Sequence, residues 1–227
     1  MRPEAERMIV HLDDDLVVID KPPGLVVHPA PSYKGETLVD LMEGIAGGGA
    51  EERAGVVHRL DKDTSGLMLV ARNEASHRDL SAQVKRREVV REYTALVEGH
   101  LDSRTGTIDA PLGRHRRRRT RMAVQGAASR EARTHFEVLE RLPADTLVRA
   151  RLETGRTHQI RVHFAAIEHP VAGDPEYGSR GRHGLERQFL HASRLGFKHP
   201  GTEEELEFTS ELPEDLAGAL ERARMAG

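Results

Sequence analysis

The longest apolar stretches of this sequence are only strand-sized, such as the four residues from Leu16 to Ile19. Turn-forming residues separate these stretches. Examples are Asp13-Asp14-Asp15 and Lys21-Pro22-Pro23-Gly24, where two prolines and a glycine cannot continue a strand interior. Strands therefore outnumber helices in the pattern, and hairpins outnumber β-α-β units. The sequence predicts the α+β class, with a large mixed sheet.

Local patterns predict where the elements lie. Alternation between turn signals is typical of strands, and it predicts them at 8–12, 16–20, 24–29, 66–71, 91–97, 134–142, 146–153, 189–197 and 205–209. Helical spacing of apolar residues predicts helices at 74–87 and 158–168, after the N-cap candidate Thr37 and after Pro213. No repeat or clear linker divides the chain, which predicts a single domain over residues 1–227.

Composition limits the chemistry and the compartment. The chain has no cysteine, which excludes disulfides, cysteine-ligated zinc, iron–sulfur clusters and a thiol nucleophile. The first residues contain no apolar run of signal-peptide or transmembrane length. We therefore expect a cytoplasmic protein that has no membrane partner.

The charged residues are unevenly distributed. The net charge is −3, yet residues 114–121 read RHRRRRTR, while acidic residues gather at 13–15 and 203–205. A local basic patch on a nearly neutral protein predicts a polyanionic partner bound at one face. The alternative is a solvated, mobile, arginine-rich loop that binds nothing.

The segment 55–72, GVVHRLDKDTSGLMLVAR, combines a strand-like entry, a polar turn and a strand-like exit. The turn at 58–65 crowds charges of both signs into a few residues. Loops held between strands often present catalytic groups. The alternative for an isolated loop of this kind is a turn whose charges merely solvate it.

Five blocks of the sequence resemble, in order, the motifs of the RluA-type RNA pseudouridine synthases. HRLDKDTSG resembles the signature that carries the invariant aspartate of that family, which matches Asp61. The other blocks are VIDKPPGLVVHPA at 18–30, REYTALVEG at 91–99, LETGRTHQIRVHFA with HPVAGDPEYG at 152–178, and FLHASRLGF at 189–197. The matching blocks span about residues 8–210.

This resemblance implies a fold and a reaction. The expected fold is that of pseudouridine synthases: a large mixed, mostly antiparallel sheet flanked by helices, with a central RNA-binding cleft. The reaction detaches uracil from its ribose at N1 and reattaches it through C5. It is an isomerisation, so we expect no cofactor and no metal.

The resemblance also implies roles for individual residues. Asp61 is the expected catalytic carboxylate, which acts as a nucleophile or stabilises charge. Arg161 is expected to pair with Asp61 and orient it. The target base must be flipped out of the RNA, and Tyr93 is expected to stack on it and to assist a proton transfer.

Other side chains are expected to bind the RNA. Arg59 matches a residue that enters the space the base has left, and Leu190 is expected to form a wall of the pocket. The remaining expected RNA contacts are Lys62, Arg114, Arg116, Arg117, Arg118, Arg119, Arg121, Arg156 and His158.

Two rival interpretations concern the same residues. Asp63 competes with Asp61, since paired carboxylates beside a glycosidic bond are typical of glycosidases, but we expect Asp63 to hydrogen-bond the turn. The histidines at 158, 163 and 169 match no zinc-binding spacing, and a helix would point them to different faces.

The substrate and the assembly follow from weaker signals. Residues 106–124 and 129–141 resemble the branch that modifies large-subunit ribosomal RNA, so ribosomal RNA is ranked first and transfer RNA second. Many relatives carry a ribosomal-protein-like RNA-binding domain ahead of the catalytic one, and we expect none here. We expect a monomer.

The rival functions are an RNA-binding protein without activity and a nucleoside hydrolase that uses Asp61 and Asp63.

Overall fold

The computed structural model describes residues 2–29, 33–118 and 121–226. Arg119, one of the predicted RNA contacts, lies outside these described residues. The chain divides into two compact units, Met1–Arg91 with Ala192–Ser210 and Glu92–His191 with Glu211–Gly227. Within the described residues, nine strands belong to one large sheet and three to a small one. The predicted α+β class with a large, mainly antiparallel sheet is confirmed.

The first unit contains a sheet in the order β1-β2-β3-β11, with β12 paired to β11. Its elements are α1 (Pro3–Glu6), β1 (Ile9–Leu12), β2 (Leu16–Lys21), α2 (Leu38–Leu41), β3 (Ser65–Ala71), α3 (Glu74–Arg86), part of β11 (Leu190–Lys198) and β12 (Glu205–Thr209). The side chain of Asp13 accepts hydrogen bonds from the backbone N–H groups of Asp15 and Leu16 at 2.8 and 2.9 Å. This turn sets the antiparallel pairing of β1 with β2.

Strand β3 is buried along its whole length and forms the centre of the first unit. Leu67 and Leu69 pack with Leu80 of α3, and with Leu195 and Phe197 of β11. Helix α3 covers this core, and it begins where the Asn73 side chain accepts a hydrogen bond from the backbone N–H of Ser76 at 2.9 Å. Leu80 is fully buried in this core.

The motif HRLDKDTSG ends at Gly66, where the structure leaves no room for a side chain. Its φ of +109° lies in the region that favours glycine, and a Cβ at this position would meet the backbone oxygen of Ala192 at 2.3 Å. Strand β11 therefore approaches the start of β3 too closely for any side chain at residue 66.

The strand predicted at 24–29 is wrong. Val26 forms only an isolated bridge with Thr37, because the carbonyl oxygens of Val26 and Val27 accept hydrogen bonds from the backbone N–H groups of Leu38 and Val39. These acceptors are thus used by the first turn of α2 instead of by a neighbouring strand. The predicted N-cap at Thr37 is confirmed, with a reciprocal capping box to Asp40.

The second unit contains a sheet in the order β4-β10-β9-β5. Its elements are most of β4 (Val90–Glu98), then β5 (Thr105–Asp109), β6 (Leu112–Arg114), β7 (Met122–Val124), β8 (Ala127–Arg130), β9 (Arg133–Arg141), β10 (Asp145–Leu152), α4 (Gln159–Ala166), the start of β11 and α5 (Glu214–Met225). The predicted hairpin of 134–142 with 146–153 is confirmed by the antiparallel pairing of β9 with β10.

A small sheet in the order β7-β6-β8 was not predicted. We call these three strands, together with residues 115–118 and Arg121, the basic sheet. The described part of the predicted arginine-rich loop follows β6 and precedes β7, and these two strands pair antiparallel. The strands of the basic sheet are three or four residues long, which is too short for alternation to be visible. Gly113 permits the close pairing of β6 with β8, since a Cβ there would meet the backbone oxygen of Ala127 at 2.4 Å.

Among the described residues, no helix has the length and apolar character needed to cross a membrane.

Candidate active site

Residues 58–65, which we call the Asp61 turn, lead into strand β3. The carbonyl oxygen of Asp61 accepts a hydrogen bond from the backbone N–H of Thr64 at 3.1 Å, which closes the turn. Leu60 on one side and Thr64 and Ser65 on the other are buried, while Asp61 itself is half-buried. The carboxylate is therefore presented at an accessible position on a backbone that is held at both ends.

Lys21 anchors the Asp61 turn to the end of β2, a role that was not predicted from the sequence. Its side chain is fully buried. The ammonium group donates hydrogen bonds to the carbonyl oxygens of Pro22, Leu25 and Lys62 at 2.7, 3.0 and 3.0 Å. The Lys62 carbonyl also accepts from the backbone N–H of Gly24 at 2.9 Å. These contacts fix the peptide that follows Asp61 to the end of β2.

His58 forms a second anchor of the Asp61 turn that sequence reasoning missed. Its Nε2 accepts a hydrogen bond from the backbone N–H of Leu69 at 3.0 Å. Burial, followed by the positive charge of Arg91, lowers the pKa of His58 to about 3. The imidazole is therefore neutral at physiological pH, with its proton on Nδ1, and it joins the turn to strand β3.

The two predicted RNA contacts of the turn are both exposed. The Arg59 guanidinium lies 3.3 Å from Nε2 of His28, and burial together with the Arg59 charge lowers the pKa of that imidazole. The Lys62 ammonium lies 6.0 Å from the centre of the Tyr33 ring. Both cations are thus accessible to a polyanion.

Tyr93 and Leu190 belong to the second unit. Tyr93 is buried in strand β4, where it stands opposite Ala150 of β10. Leu190 is the buried first residue of β11. Their predicted contacts with a flipped base stay predictions.

Arg161 lies on α4 in the second unit and forms a buried ion pair with Asp174. Its Nε and Nη2 donate to the two carboxylate oxygens of Asp174 at 2.6 and 2.9 Å, and Glu176 lies 3.5 Å from Nη2. Burial raises the pKa of Asp174, but the bonds from Arg161 and from two backbone N–H groups outweigh it and lower the pKa overall. Such a two-pronged contact fixes the plane of the guanidinium.

Tyr177 joins this pair to the basic sheet. Its hydroxyl oxygen accepts a hydrogen bond from the backbone N–H of Met122 at 2.9 Å and lies 3.0 Å from Nδ1 of His158. The guanidinium groups of Arg161 and Arg121 lie 5.1 and 4.8 Å from the ring centre. Burial raises the pKa of Tyr177 to about 12, so the phenol keeps its proton. Asp174 and Tyr177 lie in the motif block at 169–178, but their roles were not predicted from the sequence.

The predicted basic contacts fall into two groups. The exposed side chains are those of Arg114, Arg116, Arg117 and Arg118 in the β6–β7 hairpin. Nδ1 of His115 accepts hydrogen bonds from the backbone N–H groups of Arg117 and Arg118, both at 3.1 Å, and so orders the hairpin.

The second group is engaged within the protein. Arg121 lies 3.6 Å from Glu176 and stacks near Tyr177. Arg156 donates to the carbonyl oxygen of Glu131 at 3.0 Å, and His158 contacts Tyr177. These three side chains are less available to a partner than the hairpin arginines.

The histidines considered for zinc have separate protein partners. His163 places its ring nitrogens 2.8 Å from Oγ1 of Thr134 and 2.9 Å from the carbonyl oxygen of Ala110. Nδ1 of His169 lies 2.8 Å from the carbonyl oxygen of Glu98. In the described ranges, no group of three or more histidine, aspartate or glutamate side chains is arranged to hold a metal ion.

Comparison with known proteins assigns a family to this fold and site. The family model described as RNA pseudouridylate synthase matches residues 15–166. An RNA pseudouridine synthase of Bacillus subtilis, named YlyB and uncharacterised, is 48% identical over 96% of this chain and 73% of its own length. The ribosomal large subunit pseudouridine synthase D of Nitrosomonas europaea is 47% identical over 95% of this chain and 65% of its own length.

The fold agrees with this assignment. The structure of human RNA pseudouridylate synthase domain containing 4 superposes with a TM-score of 0.75 at 28% identity, and the match covers 97% of this chain and 94% of the human one. The chain belongs to the RNA pseudouridine synthase family, and it is an isomerase that acts on RNA.

Proposed function

We propose that this enzyme converts uridine to pseudouridine in large-subunit ribosomal RNA, in the cytoplasm, with Asp61 as the catalytic carboxylate. The relatives that are named for large-subunit ribosomal RNA support the choice of substrate. The observation that carries the catalytic assignment is the doubly anchored turn. Lys21 and His58 hold its backbone while the carboxylate of Asp61 keeps an accessible position.

The reaction rearranges bonds without a net gain or loss of atoms. The bond between N1 of uracil and C1′ of ribose breaks, and a bond between C5 and C1′ forms. The proton on C5 is lost and N1 gains one. An ionised carboxylate can act as a nucleophile in such a step or stabilise positive charge on the sugar.

The other predicted residues act on the base and the RNA. The target uridine is flipped from the stack; Tyr93 stacks on it, Leu190 forms a wall and Arg59 enters the vacated space. Arg161 orients the carboxylate of Asp61, and the bidentate contact with Asp174 fixes the plane of its guanidinium. We further propose that the enzyme acts as a monomer.

The test compares two carboxylates of the same turn. Unmodified transcripts of large-subunit ribosomal RNA and of transfer RNA are incubated with the wild type, with Asp61→Asn and with Asp63→Asn. Pseudouridine is mapped by carbodiimide adducts that stop primer extension. We expect stops on the ribosomal transcript with the wild type and with Asp63→Asn, and none with Asp61→Asn.

Other outcomes would decide against parts of the proposal. Stops confined to transfer RNA would show that transfer RNA is the substrate instead of ribosomal RNA. Stops that persist with Asp61→Asn would show that Asp61 is not the catalytic carboxylate. Release of free uracil that requires both aspartates would favour the hydrolase interpretation.

A further inference from the structure

A cavity of about 790 Å³ lies entirely within the second unit, beside the basic sheet. Its walls come from β6, β8 and the segment that precedes α4, and they include Arg114, Arg116, Arg130, Gly155, Arg156 and Thr157. This volume is within the range of ordinary ligand sites, about 300–1,000 Å³. Four arginines therefore line one opening, and Arg130 was not among the RNA contacts predicted from the sequence.

Three of these cations have no counter-charge among the residues that the structure describes. Within the described ranges, the side chains of Arg114, Arg116 and Arg130 form no ion pair and no hydrogen bond. Other arginines of this unit are paired, such as Arg149 with Glu137 at 2.8 Å and Arg224 with Glu140 at 2.7 Å. Like charges placed close together repel, so an anion that enters the cavity relieves this repulsion.

The backbone around the cavity is also constrained. Ala128, which lines the cavity, has a φ of 51°, and Gln125 in the preceding turn has a φ of 52°. Such left-handed conformations cost on the order of 1–2 kcal/mol for residues other than glycine. Residues held in strained conformations are frequent where a surface is shaped for a ligand.

We propose that this cavity is a binding site for the phosphodiester backbone of the RNA substrate, with Arg114, Arg116 and Arg130 as the phosphate ligands. The inference rests on the proposed function, because it assumes an RNA substrate. The arginine fork matches phosphate oxygens in a bidentate geometry. Phosphate contacts position an RNA without reading its sequence, so this site sets affinity and leaves the choice of uridine to other residues.

The test measures RNA affinity as a function of salt. The variants are Arg114→Gln, Arg130→Gln and the double variant, and the matched control is Arg224→Gln, whose side chain is exposed but paired with Glu140. The probes are the large-subunit ribosomal transcript and a uridine decanucleotide, titrated between about 50 and 300 mM KCl, a range over which phosphate contacts change affinity strongly.

We expect the double variant to bind both probes about 10-fold more weakly near physiological salt. The slope of log affinity against log salt should fall by about 0.7–0.9 for each arginine removed. Arg224→Gln should match the wild type in affinity and slope.

Unchanged affinity and slope in the double variant would overturn the proposal, even if the wild type forms pseudouridine as expected. At constant ionic strength, millimolar inorganic phosphate should compete for the same cations and weaken RNA binding more in the wild type than in the double variant, and an equal effect on both proteins would contradict the proposal. A wild type that binds both probes through these arginines but forms no pseudouridine would support the cavity and contradict the proposed function.

Discussion

The Asp61 turn and the basic sheet use charged side chains in opposite ways. In the turn, the buried ammonium of Lys21 donates to three carbonyl oxygens, and the neutral His58 accepts from the backbone of β3. In the basic sheet, Arg114 and Arg130 project beside a cavity, and within the part of the chain that the structure describes they have no such partners.

The anchors of the Asp61 turn, Lys21 and His58, are bonded within the protein, whereas Arg114 and Arg130 of the basic sheet are open to a ligand. A buried charge must be compensated by the protein, because losing water costs several kcal/mol. An exposed cation keeps its hydration and needs no protein partner. We therefore expect substitutions in the turn to change the free energy of unfolding, and substitutions in the basic sheet to change RNA affinity instead.

The largest effect is expected for Lys21→Met. This change keeps much of the volume but removes a charged donor that three carbonyl oxygens share, and within the described residues only the Lys62 oxygen keeps another bond, from the backbone N–H of Gly24. Hydrogen bonds to charged groups contribute about 1.5–3 kcal/mol each. We expect the free energy of unfolding to fall by about 3–5 kcal/mol, measured by urea denaturation. Lys85→Met, at the exposed end of α3, is the control and should stay within about 0.5 kcal/mol of the wild type. If the two variants have the same free energy of unfolding, Lys21 does not anchor the turn.

A smaller effect is expected from the protonation of His58. Its pKa in the folded protein is about 3, below the value of about 6.5 in an unfolded chain. Between these values the unfolded chain binds a proton that the folded protein does not bind, so stability falls as the pH drops. One such group contributes a slope of at most about 1.4 kcal/mol per pH unit.

The variant His58→Gln isolates this contribution. Glutamine keeps an acceptor oxygen for the backbone N–H of Leu69 but does not titrate, so unfolding free energies measured from pH 7 to pH 4 should decline less steeply than in the wild type. Parallel declines in the two proteins would show that His58 does not set the pH dependence.

The smallest effect on stability is expected in the basic sheet. Because the side chains of Arg114 and Arg130 form no hydrogen bond and no ion pair within the described residues, Arg114→Gln and Arg130→Gln should change the free energy of unfolding by no more than about 0.5 kcal/mol. The measurement is again urea denaturation, on the same samples used for RNA binding. A fall of several kcal/mol in the free energy of unfolding would mean that these arginines stabilise the fold. The two regions would then not differ in the way proposed.

Sequence patterns predicted the elements whose signals are local. The β9–β10 hairpin and helix α3 lie within a residue of their predicted bounds, because alternation, helical spacing and caps are read from neighbouring residues. The strand predicted at 24–29 failed because its acceptors bond to α2, and the strands of the basic sheet are too short to show a period.

The candidate site divides in the same way. The motif order indicated Asp61, Tyr93 and Arg161, but it could not indicate Lys21 or Asp174 as their supports. Lys21 reaches the carbonyl of a residue 41 positions away, and no local pattern reports such a contact. The sequence likewise could not indicate that Tyr177 links α4 to β7, since its hydrogen bond with Met122 joins residues 55 positions apart.

The sequence by itself determined the fold class and the family, and it predicted the carboxylate of Asp61 as the catalytic group. Only the tertiary structure decided which charged groups are compensated and which are available. The arginine-rich run looked uniform in the sequence, yet folding left Arg114 and Arg116 at a cavity, pressed Arg121 against Tyr177 and added Arg130 from another strand. The physical reason is that compensation of a charge depends on through-space distance, which is set by contacts between residues far apart in the chain.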